Sequence, residues 1–278
     1  MSSDIDNAIK ELTSKGIKLP PQPKVMLELQ KKFATDDYSM KELAAIISSD
    51  PAITAMLFKA ARAPVFGGSK KLDTVEQVLM LIGVKQTYNL VQAVSLSTSL
   101  SDSARKSFEL FWTRSQEIAQ IAALIAADRV SVCNVFPDQA YMAGIFLECG
   151  VPVLMQRFPD YCGKLHLDNA CCFPNLTEED EQFHVDHSSI GYLVARHWKL
   201  PDFVCMAILY HHEVPKEEHG AVRTLVAILQ LAIHFYHRIG RVDDPIWYKL
   251  RHEVLTELGI SPDTEQEYYE HISEQFLD

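Results

Sequence analysis

Residues able to bind a metal ion gather in two stretches of the second half of this chain. Imidazole nitrogen, carboxylate oxygen and thiolate sulfur are the side-chain ligands that zinc and other transition metals take. A cation held by such groups can activate water for hydrolysis. The candidate ligands are Glu148 and Cys149 in the first stretch and His187, His211 and His212 in the second.

The candidate ligands must be positioned by regular secondary structure, and the first third of the chain contains repeated helix-start signals. Ser39-Met-Lys-Glu42 is a capping box, and Asp50-Pro51 combines an N-cap with a proline in the first helical turn. Asp73-Thr-Val-Glu76 predicts a third start, and Gly83 ends that helix. Alternation of apolar and polar residues, which is typical of strands, does not occur over a useful length. We therefore predict an all-α fold, a multi-helix bundle.

The candidate ligands fall near the ends of predicted helices. Apolar spacing predicts one long helix over residues 104–130, and residues 163–177 are predicted to form a loop. Leu200-Pro201 separates a helix that follows Asp186 from one that ends at His211-His212.

Changes in composition suggest three units. Leu19-Pro-Pro-Gln-Pro23 separates a first helix from the rest of the chain. We predict an N-terminal helical bundle over residues 1–101, a larger helical core over residues 102–240, and acidic C-terminal helices over residues 241–278. Residues 1–100 carry a net charge of +2, whereas the remainder carries −13.

This charge distribution argues against general nucleic-acid binding, which depends on neutralising phosphates. Residues 41–59 superficially resemble a helix-turn-helix, but the first turn of the second helix offers Ala52, Ile53 and Ala55 where donors to bases are needed. We therefore expect no nucleic-acid partner. The acidic C-terminal segment is either a solvated face or a docking surface for a basic partner.

Composition points to a cytoplasmic protein without a membrane segment. The first residues are polar, and the longest apolar run, Ile121 to Ala127, is far shorter than the ~20 residues that span a bilayer. The six cysteines form no CxxC pair, so no disulfide framework is expected.

A series of short motifs, in order and spacing, resembles the HDOD domain, a helical bacterial signalling module. The resemblance begins near residue 17 and covers about residues 17–240. It implies an HD-related helical core preceded by a smaller N-terminal helical bundle, and a non-enzymatic output or regulatory role. The motifs are Leu19–Pro23, Ser48–Ile53, Val78–Gly83, Leu110–Ser115, Ala143–Leu147, Val185–Gly191, Trp198–Pro201 and Ile208–His212.

The resemblance to HD phosphohydrolases, which are related to this module, implies a degenerate metal pocket. The first ligand histidine of those enzymes falls on Arg114, and the His-Asp doublet falls on Glu148 and Cys149. The later histidines match His187 and either His211 or His212, whereas the closing aspartate falls on Ile233. The vestigial pocket thus comprises Arg114, Glu148, Cys149, His187, His211, His212 and Ile233.

Three interpretations of the surviving histidines stay open. They are core histidines bonded to polar remnants or backbone, ligands of a structural or adventitious metal, or parts of a working active site. A buried unpaired charge is costly, so we predict that Arg114 and Glu148 pair in the vacated space.

We therefore predict a non-enzymatic signal-transduction module that acts through a protein partner, with no catalytic residue, cofactor or metal. A small ligand in the degenerate pocket is compatible with this prediction, and no oligomeric state is assigned. The alternative is a metal-dependent phosphohydrolase acting on nucleotides or cyclic dinucleotides. Metal analysis and activity assays separate the two.

Overall fold

A computed structural model describes residues 14, 16–35, 37–66, 72–98, 102–167, 172–216 and 220–277. The regular secondary structure of these residues is helical, which confirms the all-α prediction. The helix predicted ahead of Leu19 falls mainly outside the described residues. A short 3-10 helix spans Pro64–Phe66. The α-helices are α1 (Lys24–Thr35), α2 (Met40–Ser48), α3 (Pro51–Ala61), α4 (Val75–Ile82), α5 (Val84–Thr98), α6 (Asp102–Cys133), α7 (Pro137–Phe146), α8 (Val151–Arg157), α9 (Tyr161–Lys164), α10 (Leu176–Phe183), α11 (His187–His197), α12 (Asp202–Tyr210), α13 (Ala221–Ile239), α14 (Trp247–Glu257) and α15 (Glu265–Leu277).

The predicted helix caps at Ser39 and Asp50 are present, but the third lies one residue later than predicted. Thr74, not Asp73, is the N-cap of α4. Its hydroxyl accepts a hydrogen bond from the backbone N–H of Gln77, whose side-chain oxygen in turn accepts from the backbone of Thr74 and Asp73. Glutamine closes this capping box as well as glutamate does. The helix ends at Gly83, as predicted, with a positive φ of 99°.

The helices that carry the candidate ligands also follow the sequence pattern. The long helix predicted over residues 104–130 is α6, and the predicted break at Leu200-Pro201 lies between α11 and α12. The loop predicted over residues 163–177 is wrong at both ends, because α9 extends to Lys164 and α10 begins at Leu176. The side chain of Asn175 caps this helix by accepting from the backbone N–H groups of Thr177 and Glu178.

Buried apolar side chains form one cluster that runs from Ile17 to Ile272. The long helix α6 packs along both α7 and α13, and α7 also contacts α5. Apolar packing therefore continues across residue 101, and the three predicted units remain a prediction. The C-terminal helices α14 and α15 close one side of the cluster against α13 and α6.

A buried tryptophan ties the N-terminal proline segment to the second half of the chain. The indole N–H of Trp198 donates to the backbone carbonyl of Pro20 at 2.9 Å. The backbone carbonyl of Trp198 accepts from the side-chain amides of Gln22 and Gln92, each at 2.8 Å. These bonds satisfy both the indole N–H and the backbone carbonyl of a residue that is fully buried. The end of α11 is thereby joined to both α5 and the segment that precedes α1.

No single helix among the described residues is long and apolar enough to cross a membrane. Helices α2 and α3 meet the length and composition test only as a pair, with a bend of 115° between them. Their apolar side chains Leu43, Ile47, Ile53 and Leu57 are buried in the core.

We predict that Gly144→Ala destabilises the fold where α6 and α7 approach most closely. A Cβ atom at Gly144 would lie 2.6 Å from the Cα atom of Ala119, so two helix backbones would have to separate. Overpacking of this kind costs about 1–3 kcal/mol of unfolding free energy. The matched control is Gly163→Ala, where a Cβ meets nothing within 4 Å. Urea denaturation measures both, and equal stability of the two variants would contradict the packing argument.

Candidate functional site

Three imidazole rings meet in the second half of the bundle. His187 opens α11, where Asp186 is the N-cap and accepts from the backbone N–H of Ser189 at 2.7 Å. His211 and His212 directly follow α12. The Nε2 atom of His187 lies 3.2 Å from Nε2 of His211 and 2.9 Å from Nε2 of His212. The structure thus brings together all three histidines that the sequence indicated.

Hydrogen bonds on the far side of two rings fix which nitrogen faces the centre. The Nδ1 atom of His187 lies 2.6 Å from Oε2 of Glu179, and Nδ1 of His211 lies 2.7 Å from the carbonyl oxygen of Ile208. Both partners are acceptors, so each Nδ1 carries a proton and donates it. In the neutral rings, the Nε2 lone pairs of His187 and His211 therefore point towards each other. A positive charge between them, either a proton or a metal ion, converts this repulsion into attraction.

The surroundings of the histidines supply one buried negative charge. Glu179 is fully buried and also accepts a hydrogen bond from the backbone N–H of His187 at 3.2 Å. Its other carboxylate oxygen accepts from the hydroxyl of Tyr161. Burial, together with the negative charge of Glu179, raises the pKa of Tyr161, which keeps that hydroxyl a donor. Glu179 thus favours a cation at the histidine cluster.

The second and third rings resist taking up that charge themselves. Burial, together with the charge of a protonated His187, lowers the pKa of His211 to about 3. Burial and the two neighbouring imidazoles also lower the pKa of His212 well below its usual value. At neutral pH, His211 and His212 are therefore neutral, and a neutral imidazole is the form that binds a metal.

The predicted ion pair between Arg114 and Glu148 is present. Arg114 is fully buried, Glu148 is 2% exposed, and the guanidinium donates directly to the carboxylate. The guanidinium also donates to the carbonyl oxygen of Cys172 at 2.8 Å and lies over the ring of Phe173, 3.8 Å from its centroid. Its fixed charge is therefore held by a carboxylate, a carbonyl dipole and an aromatic face.

Cys149 and Ile233 do not supply ligands. The thiol of Cys149 donates to the backbone carbonyl of Gly191 at 3.5 Å, and burial raises its pKa, so it stays protonated. Ile233 is buried on α13 and has no ligand atom. From the same helix, the side chain of Gln230 donates to the backbone carbonyl of His211, which helps to hold the turn after α12.

The predicted pocket therefore consists of two polar groups, one around Arg114 and one around the histidines. Two residues of the second group, Tyr161 and Glu179, were missed by the sequence analysis. A signal for Glu179 was available, since it precedes Phe183 by four residues and so shares a helical face with it. A carboxylate on the apolar side of an otherwise acidic helix predicts a buried partner.

The histidine cluster fits a divalent transition metal. One ligand nitrogen from each of His187, His211 and His212 lies within 4.8 Å of the others, and Glu179 orients His187 as carboxylates orient metal-ligating histidines. A bound metal would supply a Lewis acid at this point. The complete ligand set of HD enzymes is not expected here, because the resemblance noted from the sequence assigns its doublet and closing aspartate to Glu148, Cys149 and Ile233.

We predict a strong coupling energy between Arg114 and Glu148. Arg114→Met or Glu148→Leu alone strands a buried charge and costs about 3–5 kcal/mol of unfolding free energy. The double variant costs far less than the sum, because both charges leave together. Chemical denaturation of all four proteins gives the coupling. The control cycle is Lys24→Met with Glu28→Leu, an exposed pair at 3.3 Å, for which about 0–1 kcal/mol is expected. Additive effects at Arg114 and Glu148 would contradict the pairing.

We also predict that stability falls in mild acid because of His211. Its pKa is about 3 in the folded protein and 6.5 without the fold, so the unfolded chain binds more protons below pH 6.5. The stability contributed by the neutral ring is present above pH 6.5 and is lost as the pH falls towards 3. Between about pH 7 and about pH 5 the loss is about 2 kcal/mol.

Urea denaturation at the two pH values measures this loss. The variant His211→Gln is expected to lose less stability on acidification than the parent protein. His197→Gln, at an exposed position on α11, is the control and keeps the parent's response. An unchanged response in His211→Gln would show that the acid sensitivity arises elsewhere.

Comparison with known proteins places this geometry in a family. The family model for the HDOD domain matches residues 19–214. A curated protein from Treponema pallidum (strain Nichols), whose function is uncharacterised, is 24% identical over 225 residues, which are 78% of this chain and 42% of that protein. The chain thus spans less than half the length of this relative.

Solved structures share the fold. A crystal structure from Shewanella amazonensis SB2B, provisionally named a phosphohydrolase, has a TM-score of 0.68 at 19% identity and covers 95% of each chain. A signal transduction protein, also provisionally named, from Marinobacter aquaeolei VT8 has a TM-score of 0.68 at 19% identity, covering 94% of this chain and 58% of that one. An HDOD domain protein of unknown function from Geobacter sulfurreducens has a TM-score of 0.60 at 21% identity, with both chains fully covered. With the family model matching well over half of its residues, this chain belongs to the HDOD family.

Proposed function

We propose that this protein is a non-enzymatic regulatory module of a signalling pathway and acts by binding a protein partner. The observation that carries the proposal is the buried pair of Arg114 and Glu148. A guanidinium stands at the position that matches the first ligand histidine of HD enzymes. The carboxylate that corresponds to the doublet is bonded to that guanidinium.

The chemistry of metal-assisted hydrolysis explains why this pair weighs against catalysis. A phosphohydrolase needs a cation that polarises phosphate, together with ligands that leave open positions for water and substrate. Anionic ligands also offset the charge of the cation. Near the histidines, Glu179 is the carboxylate, and both of its oxygens are occupied by His187 and Tyr161. The three imidazoles that remain supply no negative charge to a bound cation, so a cation there would lack the anionic ligands that hydrolysis uses.

A role in signalling is supported by the family and by the name of the Marinobacter relative, a signal transduction protein. The Marinobacter protein is only 19% identical to this chain, so the likeness shows a shared fold alone. The signalling role of this chain is therefore part of the proposal. The partner is proposed to be a protein with a basic surface. Helix α15 presents an acidic stripe, defined as the exposed residues Glu267, Glu270 and Glu274 at helical spacing.

We predict no metal-dependent phosphoesterase activity. The purified protein is incubated with Mn²⁺, Fe²⁺, Ni²⁺ or Mg²⁺ and assayed with nucleotides, cyclic dinucleotides and p-nitrophenyl phosphate. The expected rate equals that of the His187→Ala variant under every condition. Turnover that is lost in His187→Ala but kept in His197→Ala, at an exposed position, would overturn the proposal.

The binding half of the proposal is tested by affinity capture from the native cell at low and high salt. A basic partner is expected to be retained at low salt and released as salt screens the charges. Reversing the acidic stripe to lysine abolishes capture. The matched control reverses three exposed acids on α10, namely Glu178, Asp180 and Glu181. Equal capture of the partner by both triple variants would show that the acidic stripe is not the docking surface.

The second candidate is the metal-dependent phosphohydrolase, and the meeting of His187, His211 and His212 favours it. Metal analysis of the purified protein, combined with the phosphoesterase assay above, separates the two candidates. Stoichiometric metal without turnover assigns the three histidines to a structural site, whereas metal with turnover assigns them to an active site.

A further inference from the structure

A cavity of about 620 Å³ lies between α1, α5 and the turn after α11, and none of the three clustered histidines lines it. Its size is in the range of sites that hold small organic ligands. The lining residues come from both ends of the family domain, so the cavity exists only in the assembled fold. They are Gln30, Phe33, Ala34, Tyr38, Val84, Lys85, Tyr88 and Lys199.

The wall of the cavity is aromatic. The ring of Phe33 packs edge to face against Tyr38 at 5.1 Å and against Tyr88 at 5.0 Å between centroids. Each of the three rings is partly exposed, so apolar surface remains open to a ligand. Such a wall favours a flat apolar body, which gains from both burial and ring contacts.

The charged lining residues are two lysines. Lys85, in the first turn of α5, and Lys199 are both exposed, and none of the described residues that line the cavity is acidic. The chain has a net charge of −11, so most of its surface repels an approaching anion. The two lysines give the cavity a local positive charge. The side chain of Gln30 adds amide groups that can bond to a ligand.

Lys199 follows the end of α11 in a backbone conformation that side chains other than glycine rarely adopt. Lys199 has a φ of 57°, in the left-handed region. The N–H of Lys199 bonds to the carbonyl of Arg196, and the N–H of Leu200 bonds to that of Ala195, each at 3.0 Å. This pattern is a Schellman motif, in which glycine is preferred at the position that Lys199 occupies. Lysine is disfavoured there in the folded backbone but carries an ammonium group to the cavity.

We propose that this cavity binds a small organic anion with a flat apolar body, such as an aromatic carboxylate, sulfonate or phosphate. The rings of Phe33, Tyr38 and Tyr88 contact the body, and Lys85 and Lys199 pair with the anionic group. The site shares no residue with the histidine cluster, so it stands whether or not the proposed function holds. A bound anion bridges α1 and the turn that carries Trp198.

The probes are 8-anilinonaphthalene-1-sulfonate and its uncharged analogue N-phenyl-1-naphthylamine, titrated by fluorescence into the native protein. The parent protein is expected to bind the sulfonate about tenfold more tightly than the uncharged analogue, the ratio that a single charge-assisted contact supplies. The variants Lys199→Gly and Lys85→Ala each remove most of this preference and leave binding of the uncharged analogue unchanged. Lys31→Ala, an exposed lysine of α1 outside the lining, is the control and keeps the preference.

Thermal unfolding distinguishes lost binding from a damaged fold. Lys199→Gly relaxes the left-handed backbone, so its unfolding midpoint is expected to equal or exceed that of the parent while its affinity for the sulfonate falls. Equal affinity of the parent for the two probes would overturn the proposal. A preference for the sulfonate that survives in both Lys199→Gly and Lys85→Ala would also overturn the proposal, because neither lysine would then bind the anionic group.

Discussion

The need to balance charge in a dry interior governs the second half of this structure. Arg114 cannot lose its proton, so its burial requires a fixed anion, and Glu148 is that anion. The pair then leaves Glu179 as the carboxylate facing the imidazoles. A cation bound at the histidine cluster would balance the negative charge of Glu179. The two polar groups therefore differ, because the charge of Arg114 is paired within the fold, whereas Glu179 favours a bound cation.

Helix ends set the geometry of the histidine cluster. His187 begins α11 and His211 and His212 follow α12, so each ring projects from a terminus where backbone groups are free to bond. Ile208 uses its carbonyl to orient His211, and Gln230 holds the backbone of the same turn. Gly150 allows this packing, because a Cβ there would lie 2.1 Å from the carbonyl oxygen of His187. Small backbone shifts at that contact would move the first ring.

The sequence predicts features that depend on residues close together in the chain, and it predicts one ion pair between two charged residues of the expected pocket. Helix starts at Ser39 and Asp50 follow from local capping, and the pairing of Arg114 with Glu148 follows from charge balance in an inherited pocket. Glu179 was missed because it lies in a run of acidic residues that resembles a solvated face. The bonds of Trp198 to Pro20 and Gln22 had no local signal at all, since the partners are 178 and 176 residues apart. The cavity likewise depends on residues brought together only by the completed fold.

The tie between Trp198 and the N-terminal proline segment has a consequence for the order in which the molecule is made. During synthesis, Pro20 leaves the ribosome long before its hydrogen-bond donor exists, so the segment before α1 stays undocked until residue 198 has emerged. Closing a loop of this length has a large entropic cost, and the hydrogen bonds of Trp198 that offset it form only after residue 198 is available. Until then, the helices of the first hundred residues are held by packing on one another and on α7, which emerges earlier than residue 198. A nascent chain that stalls before α11 exposes the surface of α5 that Trp198 covers in the finished protein.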